Sequence, residues 1–131
     1  MSIRVADVHL RGRTGTLRGR VHQPSTPDRA LLVLLDGNVD EVDPLCRALC
    51  TRAGLVVLAA PVTGLDDATA VVEWAADHAA ELGADPHRLL LAGVGAATAL
   101  AAEVARQATA TGWPVLRLLD EPPTSPERTR P

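Results

Sequence analysis

Apolar and polar residues alternate along the first part of the chain, a pattern typical of adjacent β-strands. Apolar side chains recur from Ile3 to Leu10, a stretch of glycine and arginine follows at 11–15, and the alternation resumes over 17–21. A period of two on either side of a glycine-containing turn predicts an antiparallel hairpin. Pro24 is expected to end the second strand, because proline has no N–H to donate to a sheet.

Further along the chain, the apolar residues form continuous runs instead of alternating. Three runs cover 30–35, 55–59 and 89–92, and a fourth extends from Pro114 to Leu119. Uninterrupted apolar runs of this length predict strands that are buried on both faces, as in parallel sheets.

Segments with helical spacing of apolar residues lie between these runs. They cover about 40–53, 66–82 and 96–107, and Gly54 follows the first as a stop signal. Asp66 is predicted to be the N-cap of the second helix.

The alternation of strands and helices predicts an α/β fold. The expected architecture is an N-terminal antiparallel hairpin leading into a mostly parallel sheet of about six strands, with helices on both faces. We expect one domain over residues 1–120, followed by a polar, proline-rich tail over 121–131.

Composition and charge narrow the possible functions. The chain has 131 residues, of which 47% are apolar, so an entirely disordered chain is excluded. Lysine is absent and the net charge is -3, which argues against a nucleic-acid-binding protein that works through a basic face. The first residues form no apolar signal segment, and the longest uncharged run, 89–102, is too short to span a bilayer. We therefore expect a cytoplasmic protein that contacts neither nucleic acid nor membrane.

The two cysteines, Cys46 and Cys50, are four residues apart on the first predicted helix. A disulfide within one helical turn is geometrically poor, and a zinc site would need further ligands that the spacing does not supply. We expect both to be small core residues, and we predict neither a metal nor a cofactor.

A glycine turn between the last predicted helix and the strand before it allows two functional interpretations. Gly93 and Gly95 match the first two glycines of a dinucleotide-binding turn, with Asp120 at the end of the next strand, but Thr98 occupies the third glycine position. The stretch Gly93-Val94-Gly95-Ala96-Ala97 also matches the sharp strand-to-helix turn of a GxSxG nucleophile elbow, with glycine in place of serine.

The residues before this turn favour the elbow. A helix containing Trp74, then Asp85-Pro86-His87-Arg88, then the apolar strand ending at Gly93, closely resembles the hormone-sensitive-lipase-like (fold-3) family of α/β hydrolases. The resemblance covers roughly residues 5–119 and implies an α/β-hydrolase-like fold for a chain that is shortened at its C-terminus.

The chain departs from this family at the positions of the serine nucleophile and the oxyanion loop, both of which ester hydrolysis requires. Gly95 stands at the position of the serine nucleophile, and the family's oxyanion loop of histidine and glycines corresponds to Asp36-Gly37-Asn38. A carboxylate there would oppose a developing oxyanion. The family's catalytic acid and histidine arise beyond the sixth strand. All histidines of this sequence precede the elbow: His9, His22, His78 and His87.

These departures predict a catalytically silent esterase or lipase homologue that acts through binding or assembly. Two alternatives remain open. In the first, Asp36 is the acid or base of an isomerase, cyclase or lyase acting on a small apolar ligand, in a crevice that also includes Thr98 and Asp120. In the second, the turn from Gly93 to Thr98 binds a nucleotide. The structural alternative for Asp36 is that it accepts backbone hydrogen bonds in its own turn.

Two further sequence features bear on ion binding and on protein partners: a group of acidic residues and the last predicted strand. The acidic residues Asp36, Asp40, Glu41 and Asp43 suggest a divalent-cation site, but their spacing does not match an EF-hand loop. A solvated helix start is expected instead, since carboxylates such as Asp40 and Glu41 are stabilised near a helix N-terminus. The strand from Pro114 to Leu119 is apolar and would be an unpaired edge strand. We therefore expect a homodimer, or contact with a protein partner, through this strand.

Overall fold

One mixed sheet organises the part of the chain that the computed structural model describes, residues 3–12, 15–25, 29–111 and 116–118. Its spatial order is β1-β2-β4-β3-β5-β6. The strands are β1 (Arg4–Arg11), β2 (Thr16–Gln23), β3 (Arg29–Asp36), β4 (Val56–Pro61), β5 (Ala84–Gly93) and β6 (Leu116–Leu118). The predicted hairpin is confirmed as the antiparallel pair β1 and β2, and β3 pairs in parallel with both β4 and β5.

Helices cover both faces of this sheet, as the sequence predicts. They are α1 (Val39–Ala48), continued by a π-helical turn (Leu49–Ala53), α2 (Leu65–His78) and α3 (Ala97–Ala110). On one face α1 packs against alternate side chains of the central strands, such as Leu32 and Leu34, whereas α2 and α3 pack on the other face against Leu31 and Val33.

Several element boundaries differ from the sequence expectation, and α2 ends at His78 and not at about residue 82. Asp66 is not the N-cap of α2, because the helix begins at Leu65 after Gly64 and has no side-chain cap. Strand β5 begins at Ala84, five residues before the apolar run, because Ala84 pairs with Arg29. The register shifts between that pair and the next, and such an irregularity accommodates Pro86 within the strand.

The connections of β3 and β5 diverge at the carboxyl ends of these two strands. Strand β3 leads through α1 to one side of the sheet, whereas β5 leads through α3 to the other side. Adjacent parallel strands whose connections diverge in this way form a topological switch point, where α/β proteins bind ligands. Asp36 ends β3 and Gly93 ends β5, so the candidate site residues lie at this point.

None of the helices in the described residues is long and apolar enough to cross a membrane.

Candidate active site

The sheet register brings the two predicted motifs of the site together. Leu35 pairs with Gly93, and the Val94 N–H donates a 2.9 Å hydrogen bond to the Leu35 carbonyl. Asp36 and the elbow are therefore neighbours at the switch point, as the resemblance implies. The predicted crevice residue Asp120 lies outside the described residues, as do the tail and all but Leu116–Leu118 of the last predicted strand.

The turn between β5 and α3 has the geometry of an elbow with glycine at its apex. Gly95 adopts φ 61°, a left-handed conformation that glycine takes without the steric cost of a side chain. The Ala97 N–H donates to the Val94 carbonyl and the Thr98 N–H to the Gly95 carbonyl, each at 3.1 Å. A Cβ at Gly95 would meet no atom within 4 Å, so the apex opens into free space.

Gly93, in contrast, is required by packing. A Cβ there would lie 2.3 Å from the Ala97 carbonyl oxygen, well inside van der Waals contact. Strand β5 and the first turn of α3 therefore meet backbone to backbone. This close approach accounts for Gly93 without a pyrophosphate, and Thr98, at the third glycine position of the dinucleotide-binding pattern, is exposed.

Asp36 accepts a hydrogen bond from its own turn. Its side chain is 7% exposed, and Oδ2 accepts the Asn38 N–H at 3.0 Å. The Asn38 side chain in turn caps α1, with Oδ1 accepting the Asp40 N–H at 2.9 Å. The side chains of Asp36 and Asn38 are thus engaged within the loop that corresponds to the family's oxyanion loop and the helix that follows it.

The remaining alternatives for this site stay predictions. Asp36 lines neither of two clefts formed by described residues, one at the start of α2 and one between α2 and α3. Thr98 Oγ1 donates to the Gly93 carbonyl at 3.3 Å and so closes the turn. Acid–base chemistry at Asp36 and nucleotide binding by 93–98 each await a direct measurement.

The histidines lie far from the elbow in the described structure. His87 stands six residues before Gly93 on β5, which at about 3.3 Å per residue places it roughly 20 Å away. His78 ends α2, the helix that returns to the amino end of β5, and stacks on Trp74 at 4.3 Å between ring centroids. His9 and His22 belong to β1 and β2, which β4 and β3 separate from β5.

The sequence analysis missed a polar network between β2 and α1. Arg20 pairs with Asp43 at 3.1 Å, and also with Asp7 and Asp40. His22 Nε2 lies 3.1 Å from Asp43 Oδ1, and Arg47 bonds the other Asp43 oxygen at 2.5 Å. The expectation of a solvated helix start is wrong for Asp43, whose side chain is only 18% exposed, because these partners enclose it.

The alternation along β2 contained the signal for this network. Leu17, Gly19 and Val21 alternate toward one face of the sheet, so Arg20 and His22 point toward the other face, which α1 covers. A cation and a histidine beneath a helix require acceptors from that helix, and Asp43 is placed to supply them. The described acidic residues form no cluster that could hold a metal ion.

Burial and ion pairing act in opposite directions on the two titratable groups at the centre of this network. Burial lowers the pKa of His22 and outweighs the opposing effect of Asp43, and His22 Nδ1 has no hydrogen-bond partner in the described structure. Burial also opposes ionisation of Asp43, but hydrogen bonds from Arg47, His22 and Arg20 outweigh it and lower the pKa of Asp43 to about 2.

The free energy of unfolding is therefore expected to fall as the pH drops below about 6.5. The unfolded chain takes up a proton at His22 near its ordinary pKa of 6.5, whereas the buried imidazole, with its lowered pKa, does not. A second loss follows between pH 3.8 and about 2, where Asp43 is protonated in the unfolded chain first. Urea unfolding at a series of pH values measures both losses.

Substitution of the histidine isolates the first loss. His22→Leu should flatten the profile between about pH 7 and 5, whereas the exposed His87→Gln should keep the wild-type slope. Equal slopes in His22→Leu and the wild type would contradict the assignment.

Cys46 and Cys50 are free and buried, as expected. Burial raises the pKa of Cys46 to about 12 and that of Cys50 to about 11, so neither thiol is an activated nucleophile at neutral pH.

Comparison with known proteins agrees with the α/β fold. Residues 34–130 match a family described as having the alpha/beta hydrolase fold. The esterase LipI of Mycobacterium tuberculosis is 31% identical over 93% of this chain and 45% of its own length. A hyperthermophilic esterase from the archaeon Pyrobaculum calidifontis superposes with a TM-score of 0.77 at 30% identity, covering 83% of this chain and 41% of that one. EstE1, a thermostable carboxylesterase from a metagenomic library, gives a TM-score of 0.78 at 29% identity, covering 86% of this chain and 44% of its own.

This chain thus spans less than half the length of these relatives. The residues that match the family, 34–130, include both Asp36 and Gly95. The chain belongs to the hormone-sensitive-lipase-like family of the α/β hydrolase fold, with esterases and lipases as its relatives.

Proposed function

We propose that this α/β-hydrolase-fold chain does not hydrolyse esters through its elbow and acts through binding or assembly. The observation that carries the proposal is glycine at the apex of the elbow, where Gly95 adopts φ 61°. An acyl-enzyme requires a nucleophilic oxygen or sulfur at this position, and glycine supplies neither.

The other two requirements of serine hydrolysis support the same conclusion. A general base must lie within hydrogen-bond reach of the nucleophile, but His87 is roughly 20 Å from the elbow and the other histidines are on β1, β2 and the far end of α2. An oxyanion hole needs free donors, but the Asn38 N–H is bonded to Asp36. The Asp36 carboxylate beside the elbow would also repel a developing negative charge.

Binding or assembly uses what the fold retains. The switch point between β3 and β5 is the place where a small apolar ligand would lie in a sheet of this topology. Strand β6 pairs with β5 along one side, and no described strand pairs with its other side. A second copy of the chain that pairs along this strand would cover the exposed edge.

Hydrolysis of p-nitrophenyl butyrate and labelling by a fluorophosphonate test the catalytic half of the proposal. The wild type should show neither turnover above buffer nor labelling. Gly95→Ser restores a hydroxyl at an open position, yet it should also stay unlabelled, because none of the described histidines lies near enough to activate it. Gly95→Ala is the matched control, since it carries the same backbone strain without the hydroxyl.

Two results would overturn the proposal. Labelling of Gly95→Ser would reveal an intact base and oxyanion hole. Turnover by the wild type that Asp36→Asn abolishes and Gly95→Ala preserves would instead favour the acid–base alternative at Asp36. The solution mass of the full chain tests the assembly half: we expect a dimer, and a monomer at all concentrations would contradict pairing through the last strand.

A further inference from the structure

A second site lies away from the elbow, in a cleft between α2 and α3. Its volume is about 240 Å³, and it is lined by Thr69, Glu73, Val104, Gln107, Ala108 and Thr111. We call these residues the α2–α3 cleft. A cavity of about 150 Å³ holds a benzene molecule, and drug-sized pockets begin near 300 Å³. The α2–α3 cleft therefore has room for one ring with a short side chain.

The floor of the cleft is apolar. Val104 and Ala108, which are 3% and 6% exposed, lie one helical turn apart on α3 and belong to the packed layer beneath the two helices. A hydrocarbon group placed over them would leave water without displacing any polar partner.

The rim presents hydrogen-bond acceptors. Thr69 and Thr111 each donate their hydroxyl proton to a carbonyl of their own helix, which leaves oxygen lone pairs to face the cleft. Gln107 donates one amide hydrogen to Glu103, which leaves its carbonyl oxygen as an acceptor and its second amide hydrogen as a donor. Glu73 adds an exposed carboxylate that is engaged by no described residue.

From this arrangement we propose that the α2–α3 cleft binds a small organic cation, an ammonium group attached to a compact apolar body. The apolar body lies over Val104 and Ala108, and the ammonium donates to Glu73 and to the Gln107 carbonyl oxygen. A ligand with a carboxylate at this rim would meet the like charge of Glu73 and more acceptors than donors, so charge and hydrogen bonding select for the cation. This site is separate from the elbow and does not depend on the function proposed for it.

The test compares three probes of the same shape on the full chain: 2-phenylethylammonium, neutral 2-phenylethanol and anionic phenylacetate. Amide chemical shifts in ¹⁵N-labelled protein report where each probe binds. The ammonium should shift residues of the cleft saturably, with a Kd in the millimolar range expected for so small a ligand. The alcohol should bind roughly threefold to tenfold more weakly, and the carboxylate more weakly still.

Two variants separate the charge from the cavity. Glu73→Gln should remove the preference for the cation over the alcohol, whereas Glu81→Gln, an exposed carboxylate outside the cleft, should retain it. Thr69→Leu should fill the cleft and weaken binding of all three probes, and its hydroxyl contacts only its own helix, so the fold should tolerate the change. No saturable shifts at the cleft, or equal affinity for cation and alcohol in the wild type, would overturn the proposal.

Discussion

Gly93→Ala is expected to destabilise the protein by about 3 kcal/mol, because the new methyl group collides with backbone that cannot move aside. The added Cβ would lie 2.3 Å from the Ala97 oxygen, 2.6 Å from the Ala97 carbonyl carbon and 2.7 Å from Thr98 Cα. These atoms form the first turn of α3, which the Val94 carbonyl holds in place. Urea unfolding followed by circular dichroism measures the loss.

Gly95→Ala is the control for this prediction, two residues away in the same turn. Its Cβ meets nothing within 4 Å, so its cost comes only from the positive φ and should be about 1 kcal/mol. If the two substitutions cost the same, strand β5 and α3 do not approach each other as closely as the structure shows.

The contrast between these glycines marks the limit of what the elbow sequence predicts. The pattern Gly93-Val94-Gly95 placed a sharp turn between strand and helix, and the structure confirms that placement. The sequence could not say that Gly93 is required by packing while Gly95 is required only by its backbone angle. That difference depends on the distance between two elements, which local pattern does not contain.

The sheet could be predicted largely from hydrophobic pattern, and the exceptions have physical causes. Strands β3 and β4 are almost entirely apolar because both faces are covered, so the runs of leucine and valine marked them clearly. The start of β5 is polar and contains Pro86, so it resembles a loop. This segment is a strand because it pairs with β3. The two segments are far apart in the sequence, so local pattern does not predict their pairing.

In the candidate site, too, the local sequence predicted which residues lie there but not which contacts they make. The sequence identified Asp36 and left open whether it serves chemistry or its own turn. The hydrogen bond from the Asn38 N–H shows that the turn uses it, a matter of side-chain rotamer that spacing does not determine. His22 and Asp43 are 21 positions apart, on a strand and a helix, so the local sequence around one residue does not reveal its contact with the other.

Asp43→Ala is expected to cost about 3 kcal/mol, the typical loss when one partner of a largely buried ion pair is removed. Arg20, His22 and Arg47 all bond this carboxylate, and His22 is completely buried. Without Asp43, neither nitrogen of the buried His22 ring has a hydrogen-bond partner in the described structure. Arg20 also loses its most buried acceptor. Asp40→Ala is the matched control, because Asp40 also contacts Arg20 from α1 but is 72% exposed, and it should cost about 0.5 kcal/mol or less.

A double substitution distinguishes the loss of this ion pair from a loss of helix packing. If Asp43 acts through the imidazole that it holds, part of its cost should disappear in the His22→Leu background, where no buried nitrogen remains to be satisfied. The coupling measured by urea unfolding at neutral pH should be about 1 kcal/mol or more, because both groups are largely shielded from water. Additive costs would show that Asp43 stabilises α1 through Arg20 and Arg47 alone.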